Sequence, residues 1–278
     1  MGAPPDGEVR PPQVEALSPQ RTFVYHLLRR AQRHHCPITV SAHLDITETL
    51  ARIDRARAEG RGVGLVALFI KATASAMARH PRFNHRLFHG LFGRPKVAKF
   101  DEISCNTVVA RPRGEGEEEL LVPMVLRNVH AMTVDDIHAE IRRYKTASQE
   151  DLEPLARLNR IATLPRWLIR LLHWRFVRDP KFLIAHVGTY GVSALPHRSG
   201  VVTSTFTPTT QTTFFPTGIQ EQVVVVNGRQ EVRTMLLCTV TADHYLVDGL
   251  DLQRMSLDFK AMLEEPDRLL GPEAGPPR

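Results

Sequence analysis

A chain of 278 residues is long enough to bury a sizeable core, and its 42% hydrophobic content is that of a globular protein rather than a disordered or fibrous one. Lys and Arg outnumber Asp and Glu by 36 to 30, giving a net charge of +6 and an isoelectric point near 9.5. That balance suits an anionic ligand, a nucleic acid or an anionic membrane surface. The three cysteines, Cys36, Cys105 and Cys238, stand far apart with no metal-binding spacing, which excludes a zinc module and points to a reducing compartment.

The N-terminal stretch MGAPPDGEVRPPQ has neither the apolar run of a signal peptide nor a myristoylation pattern. No segment approaches the ~18–20 apolar residues of a membrane span, and the expected location is cytoplasmic. Residues 1–18 read as a disordered arm, 19–266 as one folded domain, and 267–278, with its GPEAGPPR run, as a flexible tail.

Residues 21–35 predict a short basic helix, with Phe23, Leu27 and Arg30 on one face and Val24 and Leu28 beside them; Cys36-Pro37 stops it. Ile38, Val40, Ala42, Leu44 and Ile46 alternate as in a half-buried strand, after which Asp45 and Thr47 can cap a helix. Residues 64–80 form a strongly apolar helix ended by His80-Pro81. Short strands follow around 95–98 and 103–110, then an acidic hairpin tip at 113–119, a return strand, and helices at about 132–148 and 151–161.

Residues 164–180, LPRWLIRLLHWRFVRDP, are basic and aromatic. They read either as a membrane-surface helix or as a helix packing Trp167, Leu168, Leu171 and Leu172 into the body; the second is the expectation. The C-terminal third is β-rich, with strands over 188–195 and 209–215. Asn227-Gly228 supplies a type I′ turn between two long β-branched runs. A helix over 249–266 is expected to bury Leu250, Met255, Leu257, Phe259, Met262 and Leu263. Alternating helices and strands predict an α/β sandwich of a mixed sheet with packed helices.

The stretch DHYLVDG (243–249) joins a long strand to this last helix, a place where rigid scaffolds hold reactive groups. His244 has the residue type of a base near neutral pH. Asp248, four residues on, can fold back to accept N–H groups or a salt bridge, and Gly249 permits a left-handed or closely approached backbone. The plain structural alternative is a capped helix, with Asp248 as the cap and His244 as a polar turn residue. Other histidines, among them His34, His35, His43, His85, His89 and His197, make no ligand pattern and read as surface or satisfied core residues; no metal is implied.

HYLVDG resembles the His-x-x-x-Asp-Gly motif of chloramphenicol acetyltransferases and of the catalytic domains of the dihydrolipoyl acyltransferases in 2-oxo acid dehydrogenase complexes. GTYGVSALP, SAHLDITETL and FIKATASAMARHPRFN resemble further segments of the same families, in the same order, so that the likeness spans about residues 18–266.

The resemblance implies a CoA-dependent acyltransferase acting on acyl-CoA. His244 would be the general base, Ser193 the donor to the oxyanion, and Asp248 a structural partner of an arginine, Arg21. Thr189 and Ser199 compete with Ser193, and Arg29 and Arg30 with Arg21. It further implies a homotrimer with the site between subunits. No lipoylation signature is present, so a lipoyl acceptor would come in trans from a lipoylated protein. Asp-His-Tyr stands where the family has Asp-His-Arg, and Ala194-Leu195-Pro196 where it has Asn-Leu-Gly. The alternative reading is a non-catalytic trimeric scaffold. Nucleic acid is not an expected partner, because the basic residues are spread over several helices without a binding motif.

Overall fold

The computed structural model describes residues 15–17, 19–89, 94–111, 120–148, 152, 160, 164–194 and 210–271. Most of the expected N-terminal arm, the acidic hairpin tip at 113–119, most of the helix expected at 151–161, and Ser199 lie outside the described residues.

The chain opens with α1 (Pro19–His34), β1 (Pro37–Asp45), α2 (Thr47–Ala58) and α3 (Leu65–Arg79). A single 3₁₀ turn, Pro81–Asn84, leads into the hairpin β2 (His85–His89) and β3 (Pro95–Lys99). Then come β4 (Cys105–Arg111), β5 (Leu120–Leu126), α4 (Val134–Thr146), α5 (Arg166–Arg178) and α6 (Pro180–Val187). The last elements are β6 (Tyr190–Val192), β7 (Thr212–Val226), β8 (Arg229–Asp243), α7 (Gly249–Glu264) and α8 (Asp267–Leu270).

Six strands form one sheet in the order β1-β8-β7-β6-β4-β5. β6 runs parallel to both of its neighbours, and the other pairs are antiparallel. The predicted alternation of β1 holds, with Ile38, Val40, Ala42 and Leu44 facing the core and Thr39, Ser41 and His43 exposed. The turn between β7 and β8 is built as its sequence requires: Asn227 and Gly228 have φ of 51° and 80°, the pair of positive values of a type I′ turn. Thr47 N–H is held by Asp45 Oδ1 at 3.0 Å, so Asp45 supports the start of α2.

One face of the sheet carries the core. Apolar positions of β8 (Leu236, Cys238, Val240, Ala242) lie under α3 and α7, and ring contacts Tyr190–Phe214, Phe214–Phe259 and Phe259–Phe69 run from β6 through β7 and α7 to α3 at 6.1, 5.3 and 5.0 Å. The opposite face of β1 and β8 is polar, with hydroxyl pairs Thr39–Thr241 and Ser41–Thr239 at 3.2 and 3.1 Å. This is the expected α/β sandwich with a mixed sheet.

Three expectations differ. α7 buries Leu252, Met255, Phe259, Met262 and Leu263 but exposes Leu250 and Leu257, because the buried stripe repeats at 3 and 4 residues and those two fall outside it. The tail expected to be flexible from residue 267 begins as helix α8, with Leu270 buried and Asp267 paired to the buried Arg52 at 3.1 Å. On α5, Trp167 and Leu171 are exposed rather than packed into the body.

Gly188 ends α6 with φ of 67°, and a Cβ there would stand 2.6 Å from the Ser104 carbonyl oxygen. Both constraints select glycine. Gly188→Ala is expected to cost about 2–4 kcal/mol of folding free energy, measured by urea unfolding. A loss below ~1 kcal/mol would contradict this account of the residue.

Candidate active site

β8 ends at Asp243, and a five-residue turn presents His244 before α7 begins at Gly249. The turn is held from inside by Asp243. Its carbonyl accepts Leu246 N–H and Val247 N–H at 2.9 and 3.2 Å, and its carboxylate Oδ1 accepts Tyr245 N–H at 3.1 Å. Val247 is buried and anchors the middle of the loop.

The Asp243 side chain is fully buried, so its charge needs partners. It finds them on two other segments. His35 Nδ1 lies 2.7 Å from Oδ2, Gln211 Nε2 donates to Oδ2 at 2.9 Å, and Cys36 N–H donates to Oδ1 at 3.2 Å. Gln211 in turn accepts Leu87 N–H through Oε1 at 2.5 Å, and His244 N–H donates to the Cys36 carbonyl at 2.7 Å. The residues before β1, the residue before β7 and the histidine turn thus meet on one carboxylate, and β2 joins them through Gln211. Burial alone pushes the Asp243 pKa up, but the hydrogen bonds from His35, Tyr245 N–H and Cys36 N–H outweigh it and hold the carboxyl below its ordinary value.

His244 Nδ1 lies 2.9 Å from the Val247 carbonyl oxygen. A carbonyl only accepts, so in the neutral ring Nδ1 carries the hydrogen and Nε2 keeps its lone pair. The side chain is 45% exposed, so this basic nitrogen is reachable. Asp248 Oδ1 is 3.8 Å from Nδ1, beyond hydrogen-bond distance.

The other expected site residues are placed as follows. Asp248 is 81% exposed, occupies the N-cap position of α7 without a side-chain capping bond, and forms no ion pair with Arg21 among the described residues. Arg21 is exposed on α1, and Arg29 donates to Tyr25 Oη at 2.7 Å. The expected Asp248–Arg21 pairing is therefore not made within the chain, since α1 turns that surface outward. Gly249 has no left-handed φ, and a Cβ there would meet Ile38 Cδ1 at an ordinary 3.5 Å, so the backbone freedom expected of it is not used.

Ser193 follows β6, with its N–H on the Phe214 carbonyl at 2.9 Å. Thr189 is committed elsewhere, accepting Ser104 N–H at 3.0 Å in a buried position. Phe214 pairs with Val240, four residues before His244 on β8. At ~3.3 Å per residue that is roughly 13 Å along the strand, and strand spacing of ~4.8 Å places β6 two strands from β8. His244 and Ser193 of one chain therefore do not meet.

Sequence reasoning missed His35 and Gln211. Their signal is tertiary: the register Pro37↔Asp243 places residues 35 and 36 beside the end of β8, and Thr212↔Ala242 does the same for Gln211. Neither pairing partner is written in local periodicity.

With this geometry in view, comparison with known proteins is decisive. The family model described as 2-oxoacid dehydrogenases acyltransferase (catalytic domain) matches residues 10–154 and 210–271. The chain belongs to this family. The match takes in α1 to α4, the start of β7 and the whole histidine turn, whereas Ser193, α5 and α6 lie in the interval between its two parts.

Among curated proteins, the chain is 28% identical over 261 residues to the human mitochondrial dihydrolipoyllysine-residue succinyltransferase component of the 2-oxoglutarate dehydrogenase complex, covering 92% of this chain and 50% of that protein. It is 23% identical to the Escherichia coli K12 counterpart over 76% of this chain and 43% of the other. The chain spans about half the length of the curated relatives it matches. Among solved structures, dihydrolipoamide acetyltransferase of Azotobacter vinelandii shares the fold with a TM-score of 0.67 at 16% identity, covering 96% of this chain and all of that one. The truncated catalytic core of the Thermoplasma acidophilum 2-oxoacid dehydrogenase complex gives 0.64 at 17%, covering 92% and 100%.

A carboxyl group held below its ordinary pKa stabilises the fold fully above the unfolded value near ~4, and that contribution is lost as pH falls through the folded value. Asp243→Asn is expected to lower stability by about 1–3 kcal/mol at pH 7 and to flatten the decline between about pH 5 and pH 2. Urea unfolding at a series of pH values checks this; equal acid slopes for the two proteins would contradict it.

Proposed function

We propose that this chain catalyses CoA-dependent acyl transfer between an acyl-CoA thioester and a thiol, with a dihydrolipoyl group presented in trans as the acceptor class. The observation that carries the reading is His244, held on a braced turn with Nδ1 on the Val247 carbonyl and Nε2 basic and reachable, in a chain of the acyltransferase catalytic-domain family. The acceptor class is supported by the relatives, whose names specify a dihydrolipoyllysine residue.

In this mechanism Nε2 of His244 takes the proton of the acceptor thiol, and the thiolate attacks the thioester carbonyl carbon. The carbonyl electron pair moves onto oxygen, and Ser193 Oγ, supplied by a neighbouring chain, donates a hydrogen bond to it. The carbonyl re-forms, the bond to the CoA sulfur breaks, and the imidazolium returns its proton to the leaving thiolate. Acyl-CoA and thiol become acyl thioester and free CoA, with no net gain of protons or charge.

The separation of His244 from Ser193 along the sheet supports a site completed by a second copy, and a homotrimer is the assembly that the family likeness suggests. The net positive charge supports docking of the CoA phosphates.

His244→Ala should lower the turnover number by ~10²–10⁴, and Ser193→Ala by ~10²–10³, with unchanged circular dichroism. The assay is CoA thiol release from acetyl-, propionyl- and longer acyl-CoA with dihydrolipoamide as acceptor. Full rate in the His244 variant would overturn the mechanism, and no acceptor-dependent release from any thioester in the wild type would overturn the activity itself.

A further inference from the structure

The segment between β5 and β6 that the sequence marked as basic and aromatic supplies none of the residues assigned to acyl transfer, and the family match breaks off at residue 154 and resumes at 210, leaving α5 outside it. On α5, Trp167, Leu171 and Trp174 are spaced at four and three residues, which places them on one helix face. They are 68, 52 and 50% exposed. A folded protein rarely leaves two tryptophans and a leucine in water as a continuous stripe without a partner for them.

Charge indicates what the partner is. α5, RWLIRLLHWRFVR, contains four arginines and no acidic residue. α1, PQRTFVYHLLRRAQRH, packs beside it, also with four arginines and no acidic residue, and exposes Tyr25 and Leu28. Asp179, which caps α6, is the carboxylate nearest in sequence and pairs with Arg175 at 3.4 Å. Arg178 lies over the Trp174 ring at 5.0 Å, so cation and aromatic ring occupy one spot.

A helix that exposes an apolar stripe and carries four arginines without an acidic residue complements a layer that is apolar inside and anionic outside. A second copy seated on the same face would oppose arginines to arginines. The helix has 13 residues, about 20 Å of length, short of the ~30 Å of a bilayer core, so it can lie along an interface.

We infer that α5, flanked by α1, is a docking surface for anionic phospholipid bilayers, with Trp167, Leu171 and Trp174 entering the headgroup region and the surrounding arginines holding lipid phosphates and carboxylates. The protein reports on this directly, since Trp167 and Trp174 are its two tryptophans.

The experiment uses the full chain with vesicles of phosphatidylserine and phosphatidylcholine, or of phosphatidylcholine alone, following tryptophan emission and co-sedimentation. Expected are a blue shift and sedimentation with the anionic vesicles only, both reversed by high salt. Arg175→Ala with Arg178→Ala should weaken binding about 25-fold, at roughly fivefold per arginine. Trp167→Ser with Leu171→Ser should abolish sedimentation, and neither variant should change acyl transfer, so the surface is tested separately from the catalytic reading. Emission and sedimentation unaffected by anionic vesicles would overturn the inference. So would an emission already blue-shifted without lipid that reddens on dilution of the protein, since that would show the stripe covered by another copy of the chain.

Discussion

One buried carboxylate organises this structure. Asp243 sits at the end of β8 with no exposed side-chain surface, where an unpartnered charge would cost several kcal/mol. The cost is offset by donors from His35, Cys36, Gln211 and Tyr245, which belong to separate stretches of the chain. Satisfying the charge requires all of them to be in place together. The geometry of the turn that carries His244 is therefore set by packing on every side of it.

The tautomer of His244 then follows from the brace. With the turn fixed, the Val247 carbonyl stands where only Nδ1–H can meet it, and the imidazole is left with its basic nitrogen outward. No carboxylate is needed to choose the tautomer, and the exposed Asp248 does not act as one. The sheet sets the second condition. Because Ser193 follows the short parallel strand β6, level with Val240 of β8 and two strands away from it, one chain holds its histidine and serine at separate places along the sheet. A site that uses both has to be assembled from two chains.

Much of this was legible in the sequence, and the division has physical causes. Signals that depend on near neighbours survived: the alternation of β1, the Asn227-Gly228 turn, the apolar α3, and a histidine placed between a strand and a helix. Signals that depend on what packs opposite did not. His35 looked like any histidine until strand pairing brought it to Asp243. Leu250 and Leu257 looked like core until the helix rotation placed Leu252 inward instead. Gly249, taken as a conformational necessity, proved an ordinary helical position. Trp167 and Leu171, expected to pack into the body because tryptophan-bearing amphipathic helices of globular domains usually do, face solvent on a helix with four arginines and no acidic residue. The family likeness reached the histidine turn through residues that are contiguous, whereas the serine lies outside the segments that the family model matches and rests on the resemblance of GTYGVSALP.

The central claim is that catalysis joins His244 of one chain to Ser193 of another. The most direct measurement mixes two inactive proteins, His244→Ala and Ser193→Ala, dissociates and reassembles them in equal amounts, and assays acyl transfer. If each site takes its histidine and its serine from different copies, about a quarter of the sites in a randomly mixed ring carry both native residues, and activity returns to about that fraction of wild type. Mixed assemblies that form but stay as inactive as their parents would contradict the account.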